Sequence, residues 1–454
     1  MTRTFPQGFL WGTSTAAYQV EGAANHGGRT PSIWDTLARV PGRVVDGSNG
    51  DVACDQYHRF GDDIALMREL GVGAYRFSVS WSRVIPELGR VNRVGLDYYD
   101  RLADALLDAG IQPVLTLYHL DLPQYLEDAG GWPNRDTAFR FGDYAGVVAG
   151  ALGDRVHLWT TLNEPWCSAY LGYGNGVHAP GIRDYGASLA AAHHLNLAHG
   201  LGAQAVRSEV ASARLSISLN PHVVRPATDD EADREAAALV NQVSNEIWFG
   251  PLIAGSYPPE VMEHTAHLTN WDFVKAGDCD QICQPLDVLG INYYSPMYVR
   301  HRDTPVSDHD VPHPGTESVE FLPARPPLTA MGWSQEPDGL TELLTTVARR
   351  YPGLDLLVTE NGAAFEDVVS ADGSVHDPQR VSYLETHLNA VADAIDEGAP
   401  VKGYIVWSLL DNFEWALGYT RRFGLFYTDY TTQARLWKDS ARWYQDVVKN
   451  NRLH

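Results

Sequence analysis

At 454 residues, 44% hydrophobic and 11% aromatic, the chain has material for one large elaborated barrel or for two or three ordinary domains. Its formal net charge of −23 argues against nucleic acid or an anionic membrane surface as the main partner and fits a neutral or cationic ligand. The opening segment meets Pro6 and Gly8 before any long apolar run, and no stretch reaches the roughly 18 apolar residues of a membrane span. Four Cys in so long a chain do not read as a disulfide framework, and Cys279 and Cys283 lack a completing pair for zinc. A reduced, cytoplasmic protein with no metal, no cofactor and no membrane partner is therefore expected. Composition leaves the oligomeric state open.

Short apolar runs that suit buried strands fall at Phe9–Thr15, Ala74–Trp81, Pro113–His119, Leu158–Asn163, Leu215–Asn220, Val288–Tyr293, Leu356–Thr359 and Gly403–Ser408. Between them lie helical patterns. Asp62 to Leu70 stops at Gly71, and Leu96 to Ala109 sets Tyr99, Ala103, Leu106 and Leu107 on one side. Asp229 to Phe249 opens on acidic residues, which favour a helix N-terminus. Leu340 to Arg350 and Pro378 to Glu397 follow. Strand alternating with helix, eight times over, predicts an α/β fold, a single (β/α)8 TIM barrel over 1–454 with elaborated βα loops at the C-terminal face. A doubly wound open sheet is the alternative pattern, but no Gly-x-Gly-x-x-Gly follows the first strand. One segment, about 298–336, departs from the alternation. Its six prolines, from Pro305 to Pro327, read as a long lid or binding loop ending near Trp333.

Two glutamates sit where such runs end. Glu164 follows Val156–Asn163 and precedes Pro165; Glu360 follows Leu354–Thr359 and stands just before Asn361-Gly362. A carboxylate at the mouth of a buried strand is poorly solvated and must be paired, hydrogen-bonded or protonated. Either glutamate alone is more simply a salt-bridged strand end. Two that meet across a closed sheet, about 5 Å apart, are what retaining glycoside hydrolysis requires, one as acid/base and one as nucleophile. In a barrel the strand ends gather further side chains on the same face: Gln19, Glu21, Arg76, His119, Asp121, Asn163, Asn220, Asn292, Tyr294, Trp407, Glu414 and Trp415. Amides, imidazole and carboxylates match the hydroxyls of a sugar, and Trp rings match its C–H face. With Arg76 the one cation in the set, a phosphate is a poor fit.

The motifs Thr161-Leu162-Asn163-Glu164-Pro165, Gly290-Ile291-Asn292-Tyr293-Tyr294-Ser295, Val358-Thr359-Glu360-Asn361-Gly362 and Trp407–Trp415 resemble those of family 1 glycoside hydrolases, β-glucosidases in particular. The resemblance runs from Phe9 to Tyr444. It implies Glu164 as acid/base and Glu360 as nucleophile, with Arg76, Asn292 and Tyr294 around them. Asn163 would bond the 2-hydroxyl, while Gln19, His119, Trp407, Glu414 and Trp415 would hold the rest of the glycone, and Trp166, His178 and Trp333 the aglycone. The substrate implied is a β-glucoside or a short β-linked gluco-oligosaccharide, attacked from its non-reducing end. Glu414 would repel a 6-phosphate. The chain departs from the family pattern in one place, having Leu120 after His119 where members usually carry Trp, which leaves glucose, galactose and fucose open as glycones. Transglycosylation through the same intermediate and a sugar-binding protein without chemistry are the other readings of these residues.

Overall fold

The computed structural model describes residues 3–453, with the backbone alone at residue 309. Each of the eight apolar runs forms a strand: β1 Leu10–Ser14, β2 Ala74–Ser78, β3 Gln112–Tyr118, β4 Leu158–Asn163, β5 Arg214–Leu219, β6 Val288–Asn292, β7 Asp355–Asn361 and β8 Val401–Trp407. Every strand pairs in parallel with its neighbours in sequence, and β8 closes on β1, so the sheet is a barrel without edges. Strands buried on both faces need continuous apolar runs rather than alternation, which is why these segments read so plainly. Ala74, Val114, Leu158, Val288, Leu357 and Ile405 fill one layer inside the barrel.

Eight helices follow the strands in turn: α1 Gln56–Leu70, α2 Arg93–Asp108, α3 Asp136–Leu152, α4 Tyr185–Glu209, α5 Glu231–Asn241, α6 Asp338–Arg350, α7 Pro378–Asp396 and α8 Asp439–Asn450. α1 ends at Gly71, whose φ of 84° is the left-handed conformation that a helix stop of this kind demands. On α2, Tyr99, Ala103 and Leu106 face the core as the spacing predicts, whereas Leu107 turns outward and is 43% exposed. Among the described residues no helix is long and apolar enough to cross a membrane.

One expectation needs correction. The pattern from Asp229 to Phe249 is not one regular helix: α5 ends at Asn241 and the chain continues through wider π turns at Gln242–Glu246 and Gly250–Ala254. The wider turn brings Asn245 onto His222, whose backbone N–H and carbonyl it bonds at 2.8 Å each. The proline-rich segment, in turn, has structure of its own. Met297–His301 and Val319–Phe321 pair antiparallel, and Val224–Pro226 adds a parallel third strand. Their buried Val299 and Val319 pack against Ala236, Ala237 and Val240 of α5. The six prolines of 298–336 lie outside the paired residues and Pro226 ends an edge strand, so the small sheet stays intact.

Candidate active site

The C-terminal strand ends surround a cavity of about 440 Å³. Glu164, Glu360, Asn292, Tyr294, His119, Trp407, Glu414, Trp415, Trp166, His178 and Trp333 all line it. Among its described lining residues there is no Lys or Arg. Arg76, Asn163 and Gln19 lie outside the lining and are buried. Glu21 and Asp121 are not part of the wall either: Glu21 is engaged by Arg83 at 2.9 Å and by Tyr99 at 2.6 Å.

Strand irregularities aim the key side chains. The β4–β5 register shifts between Thr160 and Asn163, and the β7–β6 register shifts between Val358 and Glu360. Bulges of this kind re-aim side chains beside active sites. Glu164 itself takes φ 43°, left-handed for a residue that is not glycine, at a cost of about 1–3 kcal/mol. Its backbone is tied down by an N–H donated to Ser218 O at 2.9 Å. Gly362 is required for close approach, because an added Cβ would stand 1.8 Å from the Trp407 carbonyl oxygen.

The two glutamates have different partners. Arg76 Nη1 donates to Glu360 Oε1 at 2.6 Å and Tyr294 donates its O–H to Oε2 at 2.8 Å. Among the described residues Glu164 has no ion pair; Asn292 Nδ2 donates to its Oε1 at 2.8 Å and the Cys167 thiol to its Oε2 at 3.0 Å. Burial first, then the charge of Glu360, pushes the Glu164 carboxyl up to about 7. Burial also raises Glu360 above its ordinary value, opposed by the Arg76 charge and by hydrogen bonds from Arg76, Tyr294 and Asn292. With the cation on its side, Glu360 ionises first and Glu164 keeps its proton.

Beneath them runs a fixed amide network. Asn163 Oδ1 accepts from Arg76 at 2.5 Å and from Asn292 at 3.0 Å, which turns its Nδ2 toward His119 Nε2 at 3.0 Å. His119 therefore accepts at Nε2 and carries its proton on Nδ1, where no protein partner meets it. Burial keeps this imidazole neutral. Gln19 donates to Asn412 Oδ1 and Phe413 O, leaving its Oε1 unpartnered, and Glu414 Oε2 is likewise unpartnered. Burial, with the charges of Glu360 and Glu164, pushes the Glu414 carboxyl up to about 8. His119 and Glu414 thus bring an unpartnered donor and acceptor to the cavity wall, with a further acceptor on Gln19 behind it. His119 stacks at 5.7 Å on Trp407 and 6.0 Å on Trp415.

At the other end Trp166 packs on His222 at 4.8 Å and Trp333 on Tyr294 at 5.2 Å, with Met297, Tyr298, Leu322 and Ala324 beside them. Residue-by-residue reading missed Thr359, whose hydroxyl fixes Asn292 Oδ1 at 2.6 Å, and in the second wall it named Trp166 and Trp333 but not Met297, Tyr298, Leu322 or Ala324. A buried polar residue one place before Glu360 was the available signal for Thr359. For the wall, the proline-rich segment ending near Trp333 pointed to the region but not to Met297, Tyr298 and Leu322, which the small sheet brings there. Leu120 lines the cavity with φ 68°.

A closed parallel barrel holding two such carboxylates at its C-terminal mouth is the architecture of a glycoside hydrolase. The model of glycosyl hydrolase family 1 matches residues 1–453. A bifunctional β-D-glucosidase/β-D-fucosidase of Bifidobacterium breve is 50% identical, and the match covers 99% of each chain. The β-glucosidase A of Thermotoga maritima is 45% identical, again over 99% of each. The solved family 1 β-glucosidase from Thermotoga maritima superposes with a TM-score of 0.94 over 99% of both chains, and a complex of that enzyme with isofagomine lactam also scores 0.94. The chain belongs to glycosyl hydrolase family 1 and is a retaining O-glycoside hydrolase.

Proposed function

We propose that the protein is an exo-acting β-glucosidase, releasing terminal β-D-glucosyl residues through Glu164 as acid/base and Glu360 as nucleophile. What supports these roles above all is the unequal treatment of the two carboxyls: Arg76 and Tyr294 engage Glu360, while Glu164 meets the Glu360 charge without a cation of its own. The glycone sits against His119, Trp407, Glu414 and Trp415, with Gln19 and Asn163 behind that wall and its anomeric carbon between the glutamates. Glu164 gives its proton to the glycosidic oxygen as that bond breaks, and the Glu360 carboxylate bonds to the anomeric carbon. Esterification removes the Glu360 charge, so Glu164 becomes more acidic and its carboxylate then takes a proton from water. The water oxygen attacks the anomeric carbon, Glu360 leaves, and sugar is released.

Glycone breadth is part of the proposal. Leu120 in the cavity wall and a relative named for both glucosidase and fucosidase activity favour acceptance of β-fucosides beside β-glucosides. Trp166, His178 and Trp333 hold the aglycone. The test compares 4-nitrophenyl β-glucoside, β-fucoside and β-galactoside at matched concentrations. Turnover of glucoside and fucoside with a weaker galactoside rate supports the reading; dominance of galactoside, or turnover of none, defeats it.

A further inference from the structure

The oxygens of Glu164 are held by donors of two different kinds. Asn292 Nδ2 also bonds Asn163 Oδ1, and its own Oδ1 accepts from Thr359, so toward Glu164 Oε1 it can act solely as a donor. On Oε2 the partner is Cys167, among the described residues the one side chain bonded there. A thiol turns about its Cβ–Sγ bond, donating weakly in one orientation and accepting weakly in another. It can therefore follow a carboxyl that gains and loses a proton, as a fixed amide cannot.

The geometry is held at both ends. Cys167 begins the π-helical turn Cys167–Gly174, and its backbone N–H donates to the Glu164 carbonyl at 2.9 Å. Asn220 Nδ2 approaches the sulfur at 3.9 Å as a donor, which leaves the S–H free for Glu164. Cys167 is 7% exposed and lines the cavity. Burial and the nearby carboxylates Glu164, Glu360 and Glu414 keep it a thiol. The other charged or titratable groups around Glu164 are Glu360 on β7, Arg76 on β2, Tyr294 after β6 and Glu414 after β8. The imidazoles of His119, His178 and His222 are neutral through burial.

We infer that Cys167 is a positioning residue for Glu164, its S–H steadying Oε2 of the carboxylate that acts as base when the glycosyl-enzyme is hydrolysed. This rests on the acid/base role proposed for Glu164. Loss of the thiol removes a donor from the ionised form, so Glu164 must hold its proton to higher pH.

The experiment follows kcat/KM against pH for an unactivated alkyl β-glucoside, and kcat for 2,4-dinitrophenyl β-glucoside, with wild type, Cys167→Ala, Cys167→Ser and Glu164→Ala. In Cys167→Ala the basic limb moves upward by about half a pH unit. Its kcat on this activated substrate, whose slow step is hydrolysis of the intermediate, falls several-fold. In Cys167→Ser the hydroxyl donates in place of the thiol and both values return toward wild type. A limb in Cys167→Ala at or below the wild-type position, or a Cys167→Ser indistinguishable from Cys167→Ala, overturns the inference while leaving Glu164 in its role. A basic limb that persists in Glu164→Ala removes the acid/base reading itself.

Discussion

Glu164 and Glu360 carry the same functional group in one cavity, and the difference between them is made by their neighbours. Arg76 lies 2.6 Å from Glu360, while Glu164 meets amide and thiol donors and a repelling charge. The acid form of Glu164 is present below about pH 7 and lost above it, so kcat/KM is expected to fall as pH rises through that value. A pH profile on an unactivated glucoside checks this. Glu164→Ala should slow an alkyl glucoside by roughly 10²–10⁴-fold while largely sparing formation of the intermediate from a dinitrophenyl glucoside; pre-steady-state release of the phenol separates the two. Glu360→Gln should lose roughly 10³-fold or more on every substrate, since no leaving group can stand in for the nucleophile. Leu120→Trp should narrow the glycone end, and the ratio of glucoside to fucoside kcat/KM measures it.

At the scale of elements, barrel strands were legible because burial on both faces leaves an uninterrupted apolar run, and α1 and α2 because one apolar stripe ends at Gly71 or Gly110. α3 and α4 escaped the same reading. α4 is rich in Ala, Gly and His and buried on most sides, so no stripe stands out, while α3 spreads Ala and Gly through its buried stripe of Phe141, Tyr144, Val148 and Leu152. The segment from Ser408 to Thr428, which carries Glu414 and Trp415, is held by charges that sequence spacing does not connect. Asp411 accepts from Gly424 N–H at 2.9 Å, Arg422 at 2.7 Å and Lys438 at 2.6 Å, and Lys438 also reaches Asp367 at 2.5 Å. Lys438 is completely buried, so Lys438→Met leaves two interior carboxylates short of a partner. Removing one member of a buried pair costs about 3–5 kcal/mol; the expected result is a lower midpoint of thermal unfolding with a raised KM, and an unchanged midpoint would show the network to be energetically neutral.

Across the whole molecule, the residues proposed for catalysis and the glycone come from β1, β2, β3, β4, β6, β7 and β8 and the segments after them, and closure of the barrel makes them neighbours. That is why motifs far apart in sequence could be assigned to one site before any coordinates: parallel strands in a closed sheet end on the same face. The aglycone wall could not be assigned this way, since Met297, Tyr298 and Leu322 belong to a sheet added on top of the alternation. The acidic balance of −23 and a cavity without cationic lining agree with a neutral sugar as ligand. The central claim is double displacement through Glu360, and the most direct measurement is the NMR spectrum of sugar released in the first moments of 4-nitrophenyl β-glucoside hydrolysis. The β-anomer appearing first, with α-glucose growing in by mutarotation, is the predicted result. α-Glucose as the first product would mean a single displacement by water and would contradict the account.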